Sequence, residues 1–174
     1  MKICIMGFSG SGKSTLAERL SHHYSIPVMY LDTLCWAPGW VMRSREEQAA
    51  GLEAFLSANP DDWVIDGTYS HNPFEQRMAE SDQIIFLNFN RFLCLYRILK
   101  RRIMYAHRSR VSMTVGCDEK IDWDFISWSF YGSRTRKSMV KFHQVKALYP
   151  DKFVELRNPK QLKKYLKSIG CKAG

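Results

Sequence analysis

Short apolar blocks alternate with amphipathic stretches along most of the chain. Residues 2–6 form a compact, partly β-branched apolar run that stops at Gly7, as a strand buried in a parallel sheet would. Beyond a glycine-rich stretch, Leu16, Ala17 and Leu20 stand at helical spacing among charged residues, which predicts an amphipathic helix over 14–24, closed off by Pro27. The same logic predicts a strand at 28–31, a helix at 46–57 and a strand at 63–65, the last preceded by the turn-forming Asn59-Pro60-Asp61-Asp62. A short helix at 73–79, a strong strand at 83–89 and a helix at 91–105 follow, the last with an apolar pattern through Phe92, Leu95, Leu99 and Met104. After a final strand at 152–156, Asn158 and Pro159 stand where an N-cap and first helical residue would open a terminal helix through Tyr165 and Ile169. Strands alternating with helices imply an α/β sheet of mostly parallel strands with right-handed crossovers.

The 174 residues fit one domain with a sizeable core, without internal repeat, linker or low-complexity tract. Apolar residues at 45% and charged residues at 25% speak against a disordered or fibrous chain. The longest greasy stretch, 83–104, is interrupted by Arg91, Arg97 and Lys100, so no membrane span is expected. Without a signal-peptide pattern, the expected compartment is the cytoplasm. The five cysteines, Cys4, Cys35, Cys94, Cys117 and Cys171, lack CxxC or zinc-ligand spacing and read as reduced thiols. Lys plus Arg outnumber Asp plus Glu by 26 to 17, a formal charge of +9, which favours polyanionic partners.

The chemistry begins at Gly7-Phe8-Ser9-Gly10-Ser11-Gly12-Lys13-Ser14, which satisfies G-x-x-x-x-G-K-[ST] between a predicted strand and a predicted helix. In such a loop the glycines let successive backbone N–H groups turn toward phosphate oxygens, and the first helical turn adds its positive dipole end. Gly7, Ser9, Gly10, Ser11 and Gly12 thus form the expected ATP cradle. Lys13 should reach the β- and γ-phosphates as a catalytic cation, Ser14 should hold Mg²⁺ through its hydroxyl, and Thr15 should bond a phosphate oxygen nearer the nucleoside.

Asp32 and Asp66 each follow an apolar strand, which in a parallel sheet sends both to the carboxyl edge where ligands bind. Asp66, closing Trp63-Val64-Ile65-Asp66, is expected to orient Mg²⁺ through water. Asp32, with Thr33, Trp36 and Trp40 nearby, suits an acceptor-orienting base. Between Arg91 and Arg110 there are seven Lys or Arg, and no acidic residue occurs until Asp118. That density reads as a lid carrying arginines onto the transferring phosphoryl group. A nucleic-acid contact surface is the alternative, backed by a second basic cluster at Arg134, Arg136, Lys137, Lys141 and Lys146.

Four stretches together, Gly7 to Thr15, Tyr30-Leu31-Asp32-Thr33, Trp63-Val64-Ile65-Asp66-Gly67 and Cys117-Asp118-Glu119-Lys120-Ile121-Asp122-Trp123, resemble the "DNA topology modulation" (FlaR-related) proteins, small bacterial P-loop proteins related to adenylate kinase. The resemblance implies a three-layer P-loop fold with a parallel five-stranded sheet, a helical lid inserted at about 103–140 and an ATP-dependent kinase activity. It implies that Asp66 holds the magnesium shell, that Arg97 packs on the ATP adenine and that Arg101 and Arg102 bind phosphates. Gly67 is followed by Thr68-Tyr69 rather than the Pro-Arg of adenylate kinases, and Asp32-Thr33 is similar to the aspartate position in kinases of small hydroxylated metabolites. The expected protein is therefore a Mg-ATP kinase with a nucleotide or nucleoside acceptor. Its alternatives are a kinase of a hydroxylated metabolite and a nucleic-acid-binding regulator that uses ATP as a switch.

Overall fold

The computed structural model describes residues 1–69, 73–104, 112–117 and 122–171. Five parallel strands, β1 (Lys2–Gly7), β2 (Val28–Tyr30), β5 (Trp63–Asp66), β6 (Gln83–Leu87) and β7 (Phe153–Leu156), lie in the order β2-β5-β1-β6-β7. The expected parallel five-stranded α/β sheet is thus observed. A two-stranded antiparallel ribbon, β3 (Trp36–Ala37) and β4 (Val41–Met42), stands apart from it.

Alternation along the central strands builds a core on each face of the sheet. Ile3, Ile5, Val64, Ile85 and Leu87 face α1 (Lys13–Tyr24) and α8 (Pro159–Ser168), through Leu16, Ala17, Leu20 and Leu166. Cys4, Met6, Trp63, Ile65, Ile84 and Phe86 face the other way. There they join Leu52 of α3 (Arg45–Ala58), Met78 of α4 (Phe74–Glu80), and Phe142 and Val145 of α7 (Arg136–Leu148). Each such large apolar side chain contributes about 1.5–3 kcal/mol relative to its exposed state, so two filled faces hold the strand ends rigidly. The helices begin where local chemistry dictates. Ser44 and Glu47 form a capping box on α3, and the Asn158 side chain accepts from the Gln161 N–H at 2.9 Å, with Pro159 in the first turn of α8.

Three expectations are corrected. Strand β2 stops at Tyr30, and Leu31 turns instead into a five-residue helix, α2 (Leu31–Cys35), which carries Asp32. The ribbon 36–42 and the helices α6 (Trp123–Phe130) and α7 were not among the elements expected from the sequence. In α5 (Arg91–Met104) the buried positions are Cys94 and Ile98, whereas Phe92, Leu99 and Met104 are exposed. That inversion follows from what the helix packs against. A Cβ on Gly10 would lie 2.4 Å from the Cys94 carbonyl oxygen and 2.8 Å from Ile98, so α5 meets the glycine loop closely through the Cys94 and Ile98 face. No described helix is long and apolar enough to cross a membrane. The five cysteines are buried thiols outside any disulfide.

Candidate active site

The loop after β1 is shaped by its glycines. Gly10 (φ 73°) and Gly12 (φ 94°, ψ 24°) take left-handed conformations, and Gly12 is the N-cap of α1. The first turn of α1 holds no acidic residue of its own, so its N–H groups and dipole face the cleft without a carboxylate from the helix itself. Lys13 Nζ donates to the Phe8 carbonyl oxygen at 3.1 Å and Ser11 N–H to the same oxygen at 3.1 Å, which closes the loop on itself. From α5, Arg97 donates to the Ser11 carbonyl oxygen at 2.9 Å, with its guanidinium 5.3 Å from the Phe89 ring centroid. Arg134 lies 3.7 Å over the Phe8 ring and donates to the Phe89 carbonyl oxygen at 2.7 Å.

Asp66, the last residue of β5, is 6% exposed, and its Oδ2 accepts from the Ser14 hydroxyl at 2.7 Å. This hydroxyl–carboxylate pair fits Mg²⁺, which retains several waters and needs only one or two protein oxygens beside phosphates. No cluster of three or more His, Cys, Asp or Glu suited to a metal occurs among the described residues.

Across the cleft, Asp32 sits in α2, two residues beyond the end of β2. Its Oδ1 accepts from the Tyr69 hydroxyl at 2.9 Å. Burial, reinforced by the Asp32 charge, pushes the Tyr69 phenol far up, so the phenol stays a donor. The carbonyls around α2 are gathered by side chains from elsewhere. Arg43 Nη1 donates to the carbonyl oxygens of Thr33 at 2.6 Å, Leu34 at 3.3 Å and Trp36 at 2.8 Å, and the Thr114 hydroxyl bonds the Trp36 carbonyl at 2.5 Å. Gly39 N–H donates to the Gly116 carbonyl oxygen at 3.0 Å. Behind Tyr69, the buried Arg77 donates from Nη2 to the Tyr69 carbonyl oxygen at 2.9 Å, and burial lowers its pKa. Lys141, also lowered by burial, donates to the Thr68 carbonyl oxygen at 3.1 Å.

These features line one cleft of about 1350 Å³, which brings together Gly7, Ser9, Gly10, Ser11, Gly12, Lys13, Ser14, Thr15, Asp32, Asp66, Arg97 and Arg101. Arg102, on the same helix, is not among its lining residues. Arg108, Arg110 and the residues 118–121 of the basic segment and the family-like stretch lie outside the described residues. The second basic cluster divides. Arg134 and Lys141 turn inward, Lys146 pairs with Glu155 at 3.3 Å, and Arg136 and Lys137 remain exposed. Tyr69, Arg43 and Thr114 escaped the sequence reading of the site. For Tyr69 the one signal was its place three residues after Asp66, where the departure from Pro-Arg had been noted.

No protein-family model matches the sequence, and no curated protein matches it. Among solved structures, the chain is similar to deoxyadenosine kinase from M. mycoides with bound dATP, at 15% identity and a TM-score of 0.54, over 98% of this chain and 100% of that one. It is similar also to deoxyadenosine kinase from M. mycoides with the products dCMP and a flexible dCDP bound, at 15% identity, a TM-score of 0.50 and 98% of each chain. With the five parallel strands and the glycine loop between β1 and α1, this likeness establishes that the chain folds, along nearly its whole length, as a P-loop nucleoside kinase does.

Proposed function

We propose that the protein is a Mg-ATP-dependent P-loop kinase that transfers the γ-phosphoryl group to a small acceptor, a nucleoside or nucleotide. The observation that carries this is a phosphate loop and a carboxylate, Asp32, facing one another across a single cleft large enough for two ligands. The nucleotides in the structures it resembles, dATP, dCMP and dCDP, support a nucleoside-type ligand here.

In this scheme the loop N–H groups, with Ser9, Ser11 and Thr15, hold the ATP phosphates, and Lys13 stabilises charge on the transferring group. Ser14 and Asp66 hold the magnesium shell, and the ion neutralises phosphate charge when bound. Arg97 packs beside the adenine, Arg101 reaches the transferring phosphoryl group from the lid side, and Arg102 assists from the same helix. The lid is the insertion at about 103–140, and Asp32 takes the acceptor proton. A screen of ATP consumption against nucleosides, nucleotides and hydroxylated metabolites tests this, with acceptor-dependent ADP release as the expected result. The reading fails if the protein does not bind Mg-ATP.

The resemblance to DNA topology modulation proteins supplies the second reading, a DNA-binding regulator. Arg136, Lys137 and Lys146 are the exposed members of its second basic cluster, and Lys146 is paired with Glu155. Titration of duplex DNA across salt concentrations separates the two, because a phosphate-tracking surface loses affinity linearly in log salt.

A further inference from the structure

We propose that a second pocket, on the opposite face of the sheet from α1, is a binding site for a small aromatic carboxylate. It goes beyond the kinase reading and does not depend on it.

The pocket, about 180 Å³, opens between α7 and the carboxyl ends of β6 and β7, and it shares no lining residue with the cleft. Its floor is aromatic. Phe86 and Phe142 stack at 4.2 Å, and the Phe153 ring stands 6.1 Å from that of Phe86. The stacked pair is almost wholly buried, so half-buried Met139 and Phe153 supply the apolar surface that a guest would cover.

The rim is charged. Lys146 donates to Glu155 at 3.3 Å, and Arg157 donates to it from Nε at 3.0 Å and from Nη2 at 3.3 Å. The Asn88 amide donates to the same carboxylate at 2.9 Å, so Glu155 is pinned by three residues. Two cations around one carboxylate leave a positive surplus at the mouth. Their donors are not exhausted either. The Lys146 ammonium has further N–H groups to offer, and Arg157 Nη1 makes no hydrogen bond among the described residues.

Size and charge together select the guest. An apolar cavity of about 150 Å³ is enough to hold benzene, so this pocket admits one such ring with a small polar head at the rim. A phosphate group, with roughly −1.5 to −2 charges, exceeds the surplus, and inorganic phosphate would also leave Met139 and Phe153 uncovered. A neutral ring covers them and leaves the surplus unmatched. A carboxylate carried on a ring satisfies both, with charge-assisted hydrogen bonds from Lys146 and Arg157 and apolar contact below.

Calorimetry on the full chain tests this. Benzoate and nicotinate are the ring carboxylates, one carbocyclic and one heteroaromatic. Benzamide is the uncharged ring, and acetate and inorganic phosphate are the anions without one. At least one ring carboxylate is expected to bind with a Kd of roughly 1 mM or lower, about tenfold or more tighter than every control, and the tighter of the two tells which ring type the pocket takes. Because the cleft also holds cations, the titration is repeated with saturating Mg-ATP, which should leave that Kd unchanged.

Two variants give opposite signs. Arg157→Gln removes one cation from a side chain that is 66% exposed, so the fold is not at stake, and it should weaken the ring carboxylate about tenfold. Glu155→Gln keeps the shape and removes the one negative charge among the lining residues, and it should tighten binding about threefold. A packing effect would not reverse sign between them.

The proposal is overturned if neither ring carboxylate binds more tightly than benzamide and acetate, if Mg-ATP displaces the bound acid and so places it in the cleft, or if both variants shift the Kd the same way. A chain that binds no Mg-ATP refutes the kinase reading alone, since the titrations without nucleotide and the two variants still decide this site.

Discussion

The two walls of the cleft are built by opposite strategies. The donor wall is almost contiguous in sequence: β1, the loop through Gly12 and α1 follow one another, and α5 closes against them through the Gly10–Cys94 approach. Its conformation is written in glycines with positive φ, so backbone sterics set the shape before any side chain acts. The acceptor wall is assembled from separate pieces of chain. Helix α2 runs directly into the β3–β4 ribbon, and Tyr69 and the segment 112–117 reach this unit only in three dimensions, joined by bonds to its carbonyls, its main chain and the Asp32 carboxylate. A wall made of backbone is locally encoded, whereas a wall made of long-range side-chain bonds can change its ligand by changing a few residues.

Four perturbations would break or sharpen this contrast. The largest effect is expected from Lys13→Ala on the donor wall, where loss of the ammonium should cut turnover on the order of 10³-fold with little change in melting temperature, because Lys13 makes no core contact. Steady-state kinetics and a thermal melt on the same preparation check both halves of that statement.

Arg101→Ala comes next, with a loss in kcat of roughly 10²-fold and a smaller change in ATP affinity, since its contact strengthens as charge develops on the transferring group. Normal turnover in this variant would remove α5 from the chemistry and leave the glycine loop to act alone. If α5 tracks DNA instead, the same change should lower the salt slope of DNA binding by about one phosphate contact.

Arg43→Ala strikes the acceptor wall. It leaves the carbonyls of Thr33, Leu34 and Trp36 without their shared donor, so a stability loss of about 1–3 kcal/mol and a roughly tenfold rise in acceptor KM are expected, with the KM for ATP unchanged. Equal shifts in both KM values would mean that the two walls are not independent.

The smallest effect serves as a control outside both walls. Burial alone would raise the Glu155 carboxyl, but hydrogen bonds from Arg157, Asn88 and Lys146 outweigh it and hold the group down, at about 2 against an ordinary 4.5. Because the folded value is the lower one, this stabilisation is complete above pH 4.5 and fades as pH falls from there toward 2. Screening by solvent limits the loss to about 1 kcal/mol. Acid-dependent denaturant melts of the parent and of Glu155→Gln should therefore converge at low pH.

The same contrast explains what was legible beforehand. The parallel sheet, the phosphate loop and Asp66 at a strand end follow from apolar blocks and one motif, because each depends on neighbours in sequence. Helix α5 was recognised as a helix yet assigned the wrong buried face. Its apolar periodicity through Phe92 and Leu99 describes an exposed surface, while Cys94 and Ile98 meet the loop. Asp32 lines the cleft, but from a short helix rather than from the strand end expected of it.

By itself, the sequence determined the strand and helix alternation, the glycine conformations and the charge that favours phosphates, since local sterics, periodicity and composition suffice for these. Only the tertiary structure decided that Tyr69 donates to Asp32, that Arg43 and Thr114 hold the α2 carbonyls, and that Arg134 and Lys141 turn inward onto main-chain carbonyls. Those bonds join residues up to 81 positions apart, in the case of Thr114 and Thr33, and no local pattern records which donor will find which carbonyl. The pairing is set by how the sheet and its helices pack, because a buried carbonyl must take whatever donor the packing brings within reach.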